Sequence, residues 1–542
     1  MNMENKKNFL ERYEFMLPLG LFLLFLALTL PGIAWGAPNM WHPDEVVIRA
    51  INGLEDPAYR FDEYNFDYPT LPVYTYYFLG KLIMALGAPL SQVLLAARIL
   101  SAMLAGLTVA LTYLMARRLG GSITVAGLAG LLLVCVGEMQ HNGRFAHNDV
   151  FLLFFSTLTI LLVIEYYNRG SKLWLYASFL TVGMAASCKY IGGSLILLPV
   201  AVYVLGQWQL LPRQWLATLE TLFIGAVLAF GGYALGTPKA FLWLAWYLKR
   251  LLSALDWQVS YGRRPDSVRG IVGQYALINE GLGPALSLLF GAALVWAIWW
   301  LWQAYRHKTM DRASGGLAIL LGAIVLLDLP MTISYNYQIR YFLTLMPVLA
   351  ILAAFFLDHV YTLARQQGGW YPRALQAAVG LVMLYSLARI LSLMLLVMND
   401  ARIPASAFVA SLPKESTLEH TYYPPSIPEK YFANEFNYPI YFVKGNEPVP
   451  TSKNMVFNAG EAGLNDRETT YLVLDSYTWE KFNDPFTCER MPVECAFFKQ
   501  LETGRSEHYR LLAEFKYTLP PYLPQIQFNF INPSIRIYER VP

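Results

Sequence analysis

Long apolar runs recur along this chain up to about residue 400, and none follows. Eleven of them are candidate membrane-crossing helices: Leu17–Trp35, Leu90–Met115, Ile123–Val136, Val150–Tyr166, Leu173–Ser187, Ile191–Gln207, Leu216–Leu235, Ala285–Trp302, Gly315–Leu329, Tyr341–Leu357 and Ala374–Val397. A crossing helix needs about 20 apolar residues. The shorter runs between Ile123 and Ser187 are therefore expected to be tilted, re-entrant or buried within the bundle. Pro72–Ala88 is apolar but rich in tyrosine (Tyr74, Tyr76, Tyr77) and interrupted by Lys81. That pattern predicts a helix lying in the membrane interface, the depth tyrosine prefers. Past Asn399-Asp400 the pattern changes to polar, proline-bearing sequence. There Tyr471–Asp475, Tyr509–Phe515 and Ser534–Tyr538 predict short strands, and Pro404–Leu412 a short helix. The expected fold class is an α-helical polytopic membrane protein of about eleven transmembrane helices over residues 1–400, followed by a C-terminal α/β soluble domain over 401–542.

Basic residues in the short loops set the expected orientation. With the N-terminus inside, the inner loops hold Lys6, Lys7, Arg12, Arg117, Arg118, Arg169, Lys172, Arg213, Arg306, Lys308, Arg312, Arg365 and Arg373. The outer loops 36–71 and 137–149 hold only Arg49, Arg60 and Arg144. An odd number of spans then places the C-terminal domain outside. The first run lacks an A-x-A-type cleavage site and reads as a retained helix. Thr237–Gly270 departs from the rule, with Lys239, Lys249, Arg250, Arg263, Arg264 and Arg269 on the outer side. An anionic lipid phosphate accounts for such a segment, and so does the plain solubility of an exposed loop.

Composition agrees with a membrane protein. Of 542 residues 56% are hydrophobic and 15% charged, against about 25% charged in soluble proteins. A net charge of +3 with no basic aromatic stripe argues against a nucleic-acid partner. Among four cysteines, Cys135 and Cys188 lie in or beside apolar runs and read as packing residues. Cys488 and Cys495 fall in the domain placed outside, where a disulfide between them is expected to persist. No P-loop, GxGxxG fingerprint or metal-type Cys/His spacing is present.

Candidate chemistry concentrates at the outer ends of the runs. Trp41-His42-Pro43-Asp44-Glu45 puts two adjacent carboxylates where the chain leaves the first run. A partly desolvated carboxylate there can accept a proton from a hydroxyl. On the pair alone a solvated loop with Asp44 capping the next helix is the better fit, and the rest of the chain reverses that order. The second outer loop, 137–149, carries Glu138, His141, Arg144, His147 and Asp149. On this topology it opens on the same side as Asp44. Glu138, His141, His147 and Asp149 offer ligands for a divalent cation, at an unspecific spacing. Lys189 separates two runs, and Arg340 opens another. Both residue types pair with phosphate, and both also anchor helices at the interface.

The order of these features resembles the GT-C membrane glycosyltransferases. It is closest in pattern to the branch holding the dolichyl-phosphate-mannose–protein mannosyltransferases and the bacterial lipid A aminoarabinose transferase. The resemblance is carried by Asp44-Glu45, then Tyr68-Pro69-Thr70-Leu71-Pro72 before the interfacial helix, then Ala97-Arg98 opening a run that closes at Ala116–Gly120. Arg144 with Asp149, Gly183–Lys189-Tyr190, and Arg340-Tyr341 before Pro347 complete it. The family's usual Pro-Pro pair is here Pro-Thr-Leu-Pro, and its common Thr before the lysine is Cys188. The resemblance implies inverting transfer of a sugar from a polyprenyl-phosphate donor to an acceptor hydroxyl on a glycan, lipid or protein, at the outer face of the plasma membrane. It implies Asp44 as base, with Glu45 and Asp149 completing an acidic pocket, and Lys189, Arg340 and Arg144 on the donor phosphate. Thr237–Gly270 is too short for the β-trefoil of the eukaryotic mannosyltransferases, which weakens the case for a protein acceptor. The chain's Asn532-Pro533-Ser534 is spoiled as a glycosylation sequon by proline, which agrees with a prokaryotic source. A polytopic transporter or lipid flippase is the alternative from another class; clustering of the acidic loops on one face, rather than at the midplane, argues against it.

Overall fold

A computed structural model describes residues 14–61, 66, 68–260, 271–332, 338–413, 416–428, 432–435, 461, 464–465 and 468–541. Arg263, Arg264, Arg269, Lys6, Lys7 and Arg12 lie outside the described residues. The chain divides into two compact units. The larger takes in Asp44–Ser260 with the described parts of Met1–Ile33 and Asp266–Ile390; the smaller takes in Ala34–Pro43 with the described parts of Leu391–Pro542.

The larger unit is helical. In chain order its helices are α1 (Met16–Thr29), α2 (Val47–Glu55), α3 (Leu71–Ala85), α4 (Val93–Arg118), α5 (Ile123–Val134), α6 (Gly137–Asn142), α7 (Asn148–Arg169), α8 (Lys172–Ala186), α9 (Leu197–Gly206), α10 (Leu211–Gly236), α11 (Lys239–Leu242), α12 (Leu244–Ser260), α13 (Ile271–Leu282), α14 (Pro284–Arg306), α15 (Arg312–Asp328), α16 (Met346–Gln367) and, up to Ile390, α17 (Tyr371–Met398). Each of the eleven apolar runs overlaps helix, and the first, Leu17–Trp35, leaves it after Thr29. Among the described residues seven helical stretches are long and apolar enough to cross a membrane, and Met16–Thr29, Ile123–Val134 and Tyr190–Gly206 are shorter apolar helices. The first run is cut short for a local reason. Pro31 and Gly32, the latter at φ 80, follow directly, and neither continues a helix.

The helix expected over Pro72–Ala88 is α3, with Phe78 and Leu82 exposed. The basic segment after α10 forms α11 and α12. Leu244, Leu248, Leu252 and Leu255 are all exposed and make one apolar stripe at helical spacing. Lys239 sits over the Trp243 ring, and Lys249 and Arg250 over Trp246. Apolar stripe, tryptophans and cations together are the make-up of a helix lying along a lipid surface.

Packing of α8 against α10 sets the course of the chain into Lys189. Gly183 lets the two backbones meet: a Cβ there would overlap the carbonyl oxygen of Ala229. That clash is with rigid backbone, so overpacking of about 1–3 kcal/mol is expected. Gly183→Ala should lower the thermal midpoint of the purified protein in detergent; an unchanged midpoint would contradict this packing.

The smaller unit holds a five-stranded mixed sheet. Its strands are β1 (Thr417–His420), β2 (Phe432–Glu435), β3 (Tyr471–Asp475), β4 (Tyr509–Phe515) and β5 (Ile535–Arg540), in the order β2-β1-β3-β5-β4. β1 runs parallel to β2 and β3, whereas β5 is antiparallel to β3 and β4. β3 is central and buried at all five positions, which explains why Tyr471-Leu472-Val473-Leu474 is continuously apolar rather than alternating. The predicted helix near Pro404 is α18 (Arg402–Ser411). Cys488 and Cys495 form a disulfide between the short helices Pro485–Arg490 and Pro492–Glu502.

Candidate active site

The two acidic loops of the sequence come together in the larger unit, joined by the two cations that flank other helices. Asp44 Oδ2 accepts a hydrogen bond from Arg340 Nη1 at 2.7 Å. Arg340 Nε lies 3.4 Å from Asp149 Oδ2. Asp149 Oδ1 accepts from Lys189 Nζ at 2.7 Å. Asp44, Arg340, Asp149 and Lys189 thus form one chain of alternating charge. Asp149 is on the first turn of α7, whose N-terminal dipole favours an anion, and His147 caps that helix by accepting from the Asp149 N–H at 3.0 Å. Arg340 is in the 3-10 turn Ile339–Leu345 that leads into α16, and Lys189 follows α8.

Aromatic rings wall the cations. The Lys189 ammonium sits 3.9 Å from the Tyr341 ring centre and 6.0 Å from that of Tyr68. Such contacts strengthen when water is excluded. Burial pushes the Lys189 ammonium below its ordinary value, with the Asp149 carboxylate opposing that shift. Burial also pushes the Tyr68 phenol well above its ordinary value, so it stays a neutral donor.

The three carboxylates differ sharply in access. The Asp44 side chain is 38% exposed, Asp149 2% and Glu45 0%. Glu45 is committed to structure. Its two oxygens accept from Arg98 Nε and Nη2 at 2.8 and 2.7 Å, and Oε1 also accepts from the Ala146 N–H at 2.9 Å. Arg98 further donates to the Ile33 carbonyl at 3.1 Å. This fork ties the Asp44 loop to α4 and to the 137–149 loop at once, and so fixes where Asp44 points.

Arg144 is placed apart from the charge chain. Its guanidinium donates to the carbonyls of Gln140 and of Leu28, the latter at 2.6 Å. It therefore closes the C-terminal end of α1, where helix carbonyls lack partners. Glu138 accepts from Asn142 Nδ2 at 2.7 Å and faces His141 Nδ1 at 3.6 Å. His147 Nδ1 lies 3.0 Å from Asp149 Oδ2. The four metal-ligand candidates form these two pairs; among the described residues no group of three or more such ligands assembles.

Arg98, Tyr68 and Tyr341 were not singled out as site residues from sequence. Arg98 carried a usable signal, since a charge inside an apolar run demands a buried partner. The two tyrosines stood in motifs that carried the resemblance, Tyr68-Pro69 and Arg340-Tyr341, with no role attached to either.

Comparison with solved structures decides the fold. The ArnT of Cupriavidus metallidurans, bound to undecaprenyl phosphate, superposes with a TM-score of 0.51 at 14% identity, covering 97% of this chain and 98% of that one. The archaeal oligosaccharyltransferase AglB of Archaeoglobus fulgidus, in complex with an inhibitory peptide and a dolichol phosphate, gives 0.51 at 12% identity over 98% and 89%. The fold is GT-C. The sequence profile of the dolichyl-phosphate-mannose-protein mannosyltransferases matches residues 84–252 of this chain. An uncharacterized protein of Aquifex aeolicus (strain VF5) is 29% identical over 269 residues, 48% of each chain. The match thus spans about half the length of that curated relative.

Proposed function

We propose that this chain is an inverting glycosyltransferase that moves a sugar from a polyprenyl-phosphate donor to an acceptor hydroxyl on the outer face of the membrane. The observation that carries the reading is the gradient of access among the carboxylates. Asp44 is the one that a substrate can reach, and it is held by Arg340 in a cluster that also presents Lys189. Support for a polyprenyl-phosphate donor comes from the shared fold with proteins solved with undecaprenyl or dolichol phosphate.

Inversion needs one base opposite the leaving group and no second carboxylate as nucleophile. Asp44 takes the proton from the acceptor hydroxyl as its oxygen attacks the anomeric carbon. The bond from that carbon to the phosphate oxygen breaks, and the electron pair leaves with the polyprenyl phosphate. The leaving group gains negative charge, which calls for fixed cations rather than a proton donor. Lys189 and Arg340 supply them. Asp149 balances and orients both cations before the donor arrives, and Glu45 with Arg98 positions the Asp44 loop.

Purified protein incubated with polyprenyl-phosphate-linked hexoses and pentoses tests the reading. Release of free polyprenyl phosphate from at least one donor is expected. Net movement of intact donor across a vesicle bilayer without release would support the transporter alternative instead.

The pH profile adds a second check. Because Lys189 loses its proton below the ordinary lysine value of 10.5, kcat/KM for the donor should fall on the alkaline side below that pH. Asp149→Asn removes the carboxylate that opposes the shift, so the alkaline limb should move lower still. A limb that stays in place in Asp149→Asn would contradict the Lys189–Asp149 coupling.

A further inference from the structure

The basic segment after α10 takes no part in the chemistry proposed above. Residues 237–270 carry six cations against two carboxylates. On the orientation read from the short loops, they lie where membrane proteins avoid such charge. The described part of this segment is α11 and α12.

α12 has three faces, and the larger unit fixes where each points. Leu244, Leu248, Leu252 and Leu255 make the first, all exposed. Tyr247, Leu251 and Ala254 make the second, and each is half-buried. Tyr247 holds this second face to the bundle. Its hydroxyl is 2.9 Å from that of Tyr233, and its ring meets Phe66 edge to face at 5.4 Å. The third face carries Trp246, Lys249 and Arg250. Lys249 is exposed, and it has no carboxylate partner among the described residues. The start of the segment is pinned as well. Thr237 is fully buried, accepts from the Thr70 N–H at 3.2 Å and has its hydroxyl 2.7 Å from that of Ser187. Rolling α12 to hide its leucines would break the Tyr247 contacts, so the apolar face is presented outward by design of the packing.

The order of these faces indicates what covers them. Four leucines in a stripe are unfavourable in water and at home among acyl chains. An interfacial helix sinks its apolar side by about 5–10 Å. A helix is about 10–12 Å across, so the cations on its other sides stand at the level of the headgroup phosphates. There each cation is drawn to a negatively charged surface, an attraction that fades over roughly 8–10 Å at moderate salt. A zwitterionic surface carries no net charge and offers no such field. Leucines on one side and cations on the other match the layering of a lipid surface, acyl chains beneath phosphates.

We propose that α12 docks on the bilayer with anionic phospholipid headgroups as its partner, the leucine stripe entering the acyl region while Lys249 and Arg250 meet the headgroup charge. The proposal does not depend on the transferase reading.

Amide exchange over residues 244–256, followed by mass spectrometry on the full-length protein in a neutral detergent, tests it. Phosphatidylglycerol and phosphatidylcholine are titrated separately. Phosphatidylglycerol should slow exchange saturably, and at a lower concentration than phosphatidylcholine. Lys249→Gln/Arg250→Gln should raise the phosphatidylglycerol concentration required by about thirtyfold, a factor of roughly five for each cation. The same variant should leave the phosphatidylcholine response as it is. Arg306→Gln/Lys308→Gln removes equal charge elsewhere and should change neither response. Equal responses of the wild-type protein to the two lipids would overturn the proposal without recourse to any variant. So would a phosphatidylglycerol response that survives Lys249→Gln/Arg250→Gln. Saturation by polyprenyl phosphate at a lower concentration than phosphatidylglycerol would assign the face to the donor lipid, and would overturn it too.

Discussion

Asp44→Asn should abolish most turnover while leaving the donor bound. The substitution keeps the size of the side chain and its hydrogen bond to Arg340, which an amide oxygen can still accept. What it removes is basicity, and general-base catalysis contributes roughly 10²–10⁴-fold. Donor affinity should hold or improve. Arg340 loses the anion that competes with the incoming phosphate, so more of its charge is available to the ligand. Lys189→Met and Arg340→Met should behave differently, because these cations hold the phosphate in the ground state and in the transition state. Their loss is expected to raise the donor dissociation constant as well as slow the reaction. A purified Asp44→Asn protein with near wild-type transfer would remove Asp44 from the role of base.

Arg98→Met should cost more stability than any surface change in the chain. Both Arg98 and Glu45 are completely buried, and Glu45 accepts from Arg98 twice. Removing one partner leaves a buried charge uncompensated, a loss of about 3–5 kcal/mol. The double variant Arg98→Met/Glu45→Gln removes both charges and keeps an acceptor for the Ala146 N–H, so it should recover most of the loss. Thermal melts of the purified proteins in detergent read the difference. If Arg98→Met melts like wild type, the fork does not hold the Asp44 loop.

Much of this architecture was legible in the chain because a membrane simplifies the code. Apolar length alone placed helix at each of the eleven runs, seven of them on stretches long and apolar enough to cross a membrane among the described residues, and the ionisable residues at their ends stood out against them. Asp44, Asp149, Lys189 and Arg340 stood out that way, and the fold brings them together although they lie far apart in sequence. Their partners were less legible. Glu45 shares the exposed-looking motif of Asp44, yet its oxygens turn to Arg98, 53 residues away. Arg144 sits in the same loop as Asp149, yet it faces helix carbonyls because α1 stops early at Pro31-Gly32 and leaves them open. Side-chain direction over two or three residues decides both cases, and spacing carries no record of it.

In the smaller unit the continuous apolar run of β3 was readable, as were β4 and β5. β1 was not: at four residues, with a buried Glu419 satisfied by Thr469, it lacks any alternation to detect. The Asp400–Arg402 pair was equally hidden. Two charged residues at the end of an apolar helix look like an ordinary boundary, and only the fold brings Trp35 and Trp41 around them.

The most direct test of the central claim is the stereochemistry of a single transfer. A polyprenyl-phosphate sugar of known anomeric configuration is given to the purified protein, and the configuration of the product is read by NMR. One reachable carboxylate acting as base, with no carboxylate nucleophile, predicts a product of inverted configuration. A product that retains the donor's configuration would contradict the account.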